Sequence, residues 1–250
     1  MKTALNKVLI VGSAPDAIKT ADWDTSCFSH TVVINNAWKA CPSWSCLIYP
    51  EDFPIDRRPG DDALCGRRIV TAQEFVPVQN EFGGFVYAGG TMSFTAGYWA
   101  LGALKPDVIA YVGCDMVYET QPGESTHFYG LGTADPLRPD VTLQSLEAKS
   151  LRLQALAHQN GCSVVNLSER KKSRLCFPRL ALTTLATLTQ RPHVETPSPC
   201  AVESALNAES DLGYWVESGR YWEEQDRFDR QKLRDIDALW LATAPGLALA

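Results

Sequence analysis

The sequence predicts an α/β protein with a Rossmann-like, mostly parallel sheet flanked by helices and a C-terminal helical appendage. Short apolar runs that end in glycine, asparagine or aspartate are typical of buried parallel strands stopped by a turn. Longer segments with helical apolar spacing lie between these runs, and residues 142–159 are the clearest. An aromatic and charged stretch over residues 200–250 predicts the appendage as one or two amphipathic helices.

Six apolar runs are predicted to be strands: residues 7–11, 31–38, 44–50, 67–72, 108–113 and 162–168. We also expect a short strand between the glycines of residues 82–90. A short helix is expected over residues 16–23, where Pro15 fits the first turn. The helix predicted over residues 93–104 is rich in alanine and glycine, which would let it lie close to the sheet.

These elements predict a Rossmann-like domain over residues 1–190, a proline-rich linker over 191–199 and the appendage over 200–250. The appendage is expected to pack on the main domain or on another subunit. Residues 119–139 form a long loop rich in glycine and proline, and such loops are usually functional or mobile.

Composition limits the function classes. The net charge of −6 over 250 residues argues against nonspecific nucleic-acid binding, which needs a basic face. No apolar run approaches the roughly 18 residues of a membrane span. The chain is long for a disulfide framework and starts without an apolar signal core, so its 8 cysteines predict reduced thiols and a cytoplasmic protein. Peripheral membrane contact and a homo-oligomer stay open.

Polar residues follow the first two predicted strands, where ligands bind in open parallel sheets. The turn Gly12-Ser13-Ala14-Pro15 would bind a phosphate through backbone amides, or is simply a tight turn. Asn35 and Asn36 end the second strand, where an amide can read a base, a ribose or a carboxylate, or can cap a turn.

Further candidates come from the middle of the chain. Thr91 and Ser93 stand at a helix start, where capping and ligand binding are compatible roles. Asp115 follows the fifth strand and would accept hydrogen bonds from a substrate or orient the next loop. It has no acidic neighbour with which to hold a metal–diphosphate, and no metal site is expected, since Cys41 and Cys46 lack a metal-knuckle spacing.

His127 is the candidate general base, because the intrinsic pKa of histidine suits proton transfer near neutrality. The alternative is an ordinary surface-loop histidine. Tyr118 and Tyr129 could hydrogen-bond a phosphate leaving group, and Arg138 could neutralise an anion.

In order and spacing, residues 7–170 resemble the bacterial sialyltransferases of glycosyltransferase family 42. The matching features are the first turn, Asn36, the helix ending Ala-Leu-Gly at residues 100–102, the strand ending Gly-Cys-Asp-Met-Val-Tyr at 113–118, and Ser-Thr-His-Phe-Tyr at 125–129. Where that family has an asparagine after its third strand, this sequence has Tyr49.

The resemblance implies a metal-independent transfer of a sugar, sialic acid or a related one, from a CMP-activated donor to a saccharide acceptor. The donor is a substrate, and no cofactor is expected. By the same resemblance, residues 12–15 and Asn36 contact the nucleotide, Thr91 or Ser93 contacts the donor, and Tyr118 holds the departing phosphate.

The family places its catalytic histidine three or four residues beyond the position of His127, where this sequence has Leu131 and its neighbours. Either His127 takes over the base role or the chemistry has changed. Two other functions therefore stay open: pyrophosphoryl transfer or hydrolysis of a nucleotide phosphate on the same core, and a noncatalytic binding protein that kept the fold.

Overall fold

The protein forms one six-stranded sheet in a computed structural model that describes residues 4–118, 125–130, 140–195 and 197–244. The strands are β1 (Lys7–Val11), β2 (His30–Ile34), β3 (Cys46–Ile48), β4 (Arg68–Val70), β5 (Val108–Val112) and β6 (Ser163–Asn166). Every neighbouring pair is parallel, in the order β4-β3-β2-β1-β5-β6. This confirms the predicted Rossmann-like α/β fold.

The strand order reverses once. The chain begins in the middle of the sheet with β1, moves outward to β4, and then returns to place β5 on the other side of β1. In such sheets a crevice opens at the carboxyl ends of the two strands that flank the reversal. The crevice of this protein therefore lies above β1 and β5.

Helices cover both faces of the sheet. They are α1 (Asp61–Leu64), α2 (Ala72–Glu81), α3 (Phe85–Ala88), α4 (Met92–Trp99), α5 (Leu146–Gln159), α6 (Leu182–Thr187), α7 (Pro199–Leu212) and α8 (Arg230–Leu241). A π-helical segment, Ala100–Leu104, extends α4. Among the described residues, no helix has the length and apolar character needed to cross a membrane. The eight cysteines are free thiols.

The strands are buried on both sides, as parallel strands usually are. In β1, Val8 and Ile10 join the apolar cluster under α2 to α5, while Leu9 and Val11 join the cluster on the opposite face. The hydroxyl of Tyr111 in β5 donates to the backbone oxygen of Ser93 at 3.2 Å. This contact shows that α4, with its small residues, lies close against the sheet.

The C-terminal segment is helical, as predicted, and its helices α7 and α8 pack on α5. Val202, Ile236 and Trp240 belong to the same apolar cluster as α4 and α5. Two buried ion pairs join these helices, with Lys149 Nζ 2.6 Å from Asp237 Oδ1 and Arg152 Nη2 2.8 Å from Glu209 Oε2. The domain division at residues 190 and 200 stays a prediction.

One local expectation is wrong. The apolar run inside residues 82–90 is the single helical turn α3, because Gly84 and Gly89, both at positive φ, turn the chain on either side of it. A four-residue apolar run fits a strand and a helix equally well, so its sequence cannot distinguish them. The short helix expected after β1 is present, as the 3-10 helix Pro15–Asp22.

Candidate functional site

The turns after β1 and β5 are tied together at the point where the strand order reverses. The backbone N–H of Gly12 donates to Val112 O at 2.9 Å, and that of Ala14 donates to Gly113 O at 2.8 Å. These two amides were candidates for phosphate binding, and in the fold they hold the neighbouring turn instead. Pro15 has no N–H to offer.

Gly12 is required for this close approach. A Cβ at Gly12 would lie 2.3 Å from Gly113 O and 2.5 Å from Cys114 Sγ. We therefore expect Gly12→Ala to lower the free energy of unfolding by about 1–3 kcal/mol, the usual range for overpacking. Urea unfolding measures this change.

Gly60 provides the matched control, because a Cβ there would meet nothing within 4 Å. Gly60→Ala should change stability by no more than about 0.5 kcal/mol. Equal effects of the two substitutions would contradict the close approach of the turns after β1 and β5.

A cleft of about 790 Å³, open to solvent, lies above these turns. It is called the first cleft below. Nine of the predicted site residues line it: Gly12, Ser13, Ala14, Asn35, Thr91, Ser93, Tyr118, His127 and Tyr129. The first cleft therefore brings together residues from five separate segments of the chain.

The loop that carries His127 is anchored on the first turn. The N–H of Phe128 donates to Ser13 O at 3.0 Å, and His127 and Gly130 exchange two backbone hydrogen bonds of 3.1 Å. Although it is a loop residue, His127 is only 6% exposed. This anchoring holds the imidazole at the wall of the first cleft.

The imidazole of His127 lies between two phenol rings. Its ring centroid is 4.9 Å from that of Tyr129 and 6.1 Å from that of Tyr118, with both pairs stacked. Burial lowers the pKa of His127 below its ordinary value, because the charged form loses hydration. Burial therefore favours the neutral form of the ring, which is the form that a general base requires.

The hydroxyl of Thr126 lies within hydrogen-bond distance of that ring. Its Oγ1 is 2.7 Å from His127 Nδ1 and 3.5 Å from the backbone oxygen of Gly130. For Nε2 to act as a base, the proton must be on Nδ1, and Thr126 Oγ1 is placed to accept it. Sequence reasoning missed this role of Thr126, although the residue precedes the candidate base directly.

Asn35 has an unusual backbone in the wall of the first cleft. Its φ is +51°, a left-handed conformation that non-glycine residues seldom adopt. Its Oδ1 is buried and has no hydrogen-bond partner among the described residues. Met116, four residues after the end of β5, also has a φ of +51° and also lines the first cleft. Strain of this kind concentrates at functional sites.

The residues at the start of α4 combine two roles. The Thr91 side chain accepts from Ser93 N at 3.1 Å, so Thr91 is the N-cap that the sequence allowed. Thr91, Met92 and Ser93 also line the first cleft. The N-terminus of α4, with its partial positive charge, is thus part of the cleft wall.

Asp115 is 1% exposed and does not line the first cleft. Ser168 Oγ lies 2.8 Å from Asp115 Oδ2 and 2.9 Å from Asp16 Oδ2, so one hydroxyl links the ends of β1, β5 and β6. Burial raises the pKa of Asp16, and the charge of Asp115 adds to this shift.

Sequence reasoning missed Asp16 and Ser168 in this cluster. Both residues follow strands, so the rule that polar residues at strand ends converge would have found them.

Among the described candidates, Asn36 and Tyr49 do not line the first cleft. Asn36 is buried in the 3-10 helix Asn35–Lys39. The ring of Tyr49 packs against Phe53 at 5.3 Å and under the guanidinium of Arg58 at 4.7 Å. Arg138 and most of the predicted loop over 119–139 lie outside the described residues. In the described part of the chain, no group of three or more His, Cys, Asp or Glu side chains could hold a metal ion.

Comparisons with protein-family models, with curated proteins and with solved structures find no match to this chain.

Proposed function

We propose that this protein transfers a sugar from a nucleotide-activated donor, CMP-linked, to a saccharide acceptor without a metal ion, with His127 as the general base. The observation that carries this proposal is the neutral, buried imidazole of His127 between two tyrosines in the first cleft. Other residues of the first cleft are suited to bind the nucleobase, to hold the donor phosphate and to stabilise the leaving group.

The nucleobase is assigned to Asn35. An unpartnered buried acceptor is unfavourable until a ligand satisfies it. The exocyclic amine of cytosine is a donor of suitable size, and the left-handed backbone holds the amide at the cleft wall. Cytosine recognition thereby explains both features of Asn35.

The donor phosphate is assigned to the start of α4 rather than to the turn after β1. Gly12 and Ala14 use their N–H groups within the protein, whereas Thr91 and Ser93 bring a helix N-terminus to the cleft. A helix N-terminus stabilises a phosphate through its dipole, and this effect does not require the Ser93 N–H, which already donates to Thr91 Oγ1. The hydroxyl of Tyr118, in the same cleft, is assigned to the departing phosphate.

The chemical step follows from these assignments. The acceptor hydroxyl gives its proton to Nε2 of His127 while its oxygen attacks the anomeric carbon of the donor sugar. The bond between that carbon and the phosphate oxygen breaks, and its electron pair leaves with the nucleoside monophosphate. Hydrogen bonds to the phosphate lower the barrier, because its charge grows in the transition state.

Thermal unfolding in the presence of free nucleotides tests donor binding. CMP at 100 times its dissociation constant should stabilise the protein by about 2.7 kcal/mol, with or without a chelator. UMP and AMP at the same concentration should stabilise the protein less. Asn35→Gly should abolish the preference for CMP, because glycine accepts the left-handed φ but has no amide.

Lys105→Gly is the control for that substitution. Lys105 has a φ of +47° but is exposed at the end of the π-helical segment, away from the first cleft. The Lys105→Gly substitution should leave the stabilisation by CMP unchanged. No stabilisation by any nucleotide would contradict the proposal and favour a noncatalytic binding protein.

The second candidate is pyrophosphoryl transfer or hydrolysis with a divalent metal. One observation favours it: Asp16 Oδ1 and Asp115 Oδ1 are both buried without a hydrogen-bond partner in the described residues. Neither residue lines the first cleft, however, so the sugar transfer accounts for more of the geometry. Stabilisation by nucleotides only with magnesium would reverse this preference.

A further inference from the structure

A second cleft lies beside the first, and the C-terminal segment forms one of its walls. Residues 218–222 and Gln225 form one wall, and the opposite wall comes from the loop after β3, from α2 and from α3. Met92 lines both clefts, and Gly90 lines the second cleft two residues before it. The two clefts therefore meet at the start of α4.

The floor of the second cleft is rigid and aromatic. The Tyr221 hydroxyl donates to Asp140 Oδ2 at 2.7 Å, and its ring stacks on Phe85 at 6.4 Å. A Cβ at Gly90 would lie 1.8 Å from the Tyr221 hydroxyl oxygen. Tyr221 is thus fixed directly against the segment that leads into the first cleft.

The rim of the second cleft is polar and carries an exposed indole. Trp222 is 53% exposed and meets Tyr221 edge to face at 5.4 Å. Glu51 and Asp52 are exposed carboxylates on the facing loop. Arg220 Nη2 is 3.1 Å from Glu51 Oε2, so the positive charge that this wall contributes is already paired.

This chemistry suits a neutral saccharide. The C–H face of a pyranose ring packs on an indole, and neighbouring carboxylates accept hydrogen bonds from its hydroxyls. An anionic ligand would meet two acidic side chains and an arginine that is already paired. A purely apolar ligand would form no hydrogen bond to either carboxylate.

We infer that the second cleft binds the acceptor as a neutral saccharide, with Trp222 as the stacking platform and Glu51 and Asp52 as hydroxyl acceptors. This assignment rests on the proposed function, because the two clefts share Met92 and His127 lines the first of them. It also gives the C-terminal segment a role in substrate selection.

Saccharide binding without any donor tests the assignment. The probes are glucose, galactose, N-acetylglucosamine, maltose, cellobiose and lactose, titrated up to about 10 mM while tryptophan fluorescence and calorimetric heat are followed. At least one should bind, and Trp222→Ala should weaken it about tenfold or more. Glucuronate should bind more weakly than glucose.

Trp215→Ala is the matched control. Trp215 is 45% exposed, similar to Trp222, but lines neither of the two clefts. It should leave saccharide affinity unchanged. The assignment would be overturned if no probe binds, or if both variants lose the same saccharide affinity. It would also be overturned if glucuronate and glucose bind with equal affinity.

Nucleotide binding, measured separately, distinguishes this inference from the proposed function. CMP binding with no saccharide binding would contradict the acceptor site but not the proposed transferase. Saccharide binding that depends on Trp222, without CMP binding, would remove the transferase and leave a saccharide-binding cleft.

Discussion

Replacing His127 with glutamine should lower kcat for sugar transfer by about 10²–10⁴-fold, the usual contribution of a positioned general base. Glutamine keeps polarity and approximate size but cannot take up a proton at neutral pH. CMP binding should persist, because the nucleotide is assigned to Asn35 and to the start of α4. The measurement is steady-state kinetics on the acceptor identified by saccharide binding.

The pH profile of the unsubstituted protein gives an independent check. His127 acts as a base only when neutral, so kcat/KM, which reports the pKa values of the free enzyme, should fall as pH drops through the pKa of His127. Burial lowers that pKa, so the midpoint of the acid limb should lie below the ordinary value of 6.5. The same shift makes the free energy of unfolding fall as pH decreases below 6.5, because the unfolded chain binds the proton more readily.

His158→Gln is the control for the kinetic experiment, because His158 is exposed near the end of α5. It should change neither kcat nor the acid limb. If His127→Gln retained full activity, or if its acid limb stayed where it was, His127 would not be the base.

The second large effect concerns the buried ion pair between α5 and α7. Arg152 is 1% exposed and contacts both carboxylate oxygens of Glu209 at 2.8 Å, and Trp240 Nε1 donates to Glu209 at 2.7 Å. Glu209→Ala should lower the free energy of unfolding by about 3–5 kcal/mol, because it leaves a buried guanidinium without its counter-charge. Denaturant unfolding measures this loss.

Two comparisons show whether the unpaired charge is the cause. The double substitution Arg152→Met with Glu209→Leu should cost much less than Glu209→Ala, because it removes both charges together. Glu74→Ala breaks the exposed pair with Arg68 and should cost no more than about 1 kcal/mol. A loss in Glu209→Ala no larger than in Glu74→Ala would show that the buried pair contributes little.

Strand ends were predictable because their signals are local. β1, β2 and β5 end in residues that stop a parallel strand, and the parallel arrangement alone brings Gly12, Asn35 and the segment after Val112 to one edge. His127 was predictable from its intrinsic chemistry. Its burial depends on the anchoring of Phe128 to Ser13, a contact across more than a hundred residues.

The polar residues of α5 show why other features were missed. Lys149 and Arg152 are the types expected on a solvated helix face, yet both are 1% exposed. Their partners, Asp237 and Glu209, lie 88 and 57 residues further along the chain. Helical periodicity reports only neighbours within a few turns, so it cannot reveal that α7 and α8 cover this face.

The second cleft was missed for the same reason. Its walls come from the loop after β3 and from residues 218–225, and no motif links these segments. The exposed Trp222 looked like one more aromatic residue in an amphipathic stretch. Only its position in the same cleft as Glu51 and Tyr221 gives it a candidate role.

The ion pairs between α5 and the last two helices can form only late in the synthesis of the chain. Lys149 is made 88 residues before its partner Asp237, an interval of about 4–18 s at typical rates of translation. During that time α5 carries charged groups on a face that the finished protein keeps dry. A nascent chain is therefore expected to need solvent or a chaperone on this face until α8 has been synthesised.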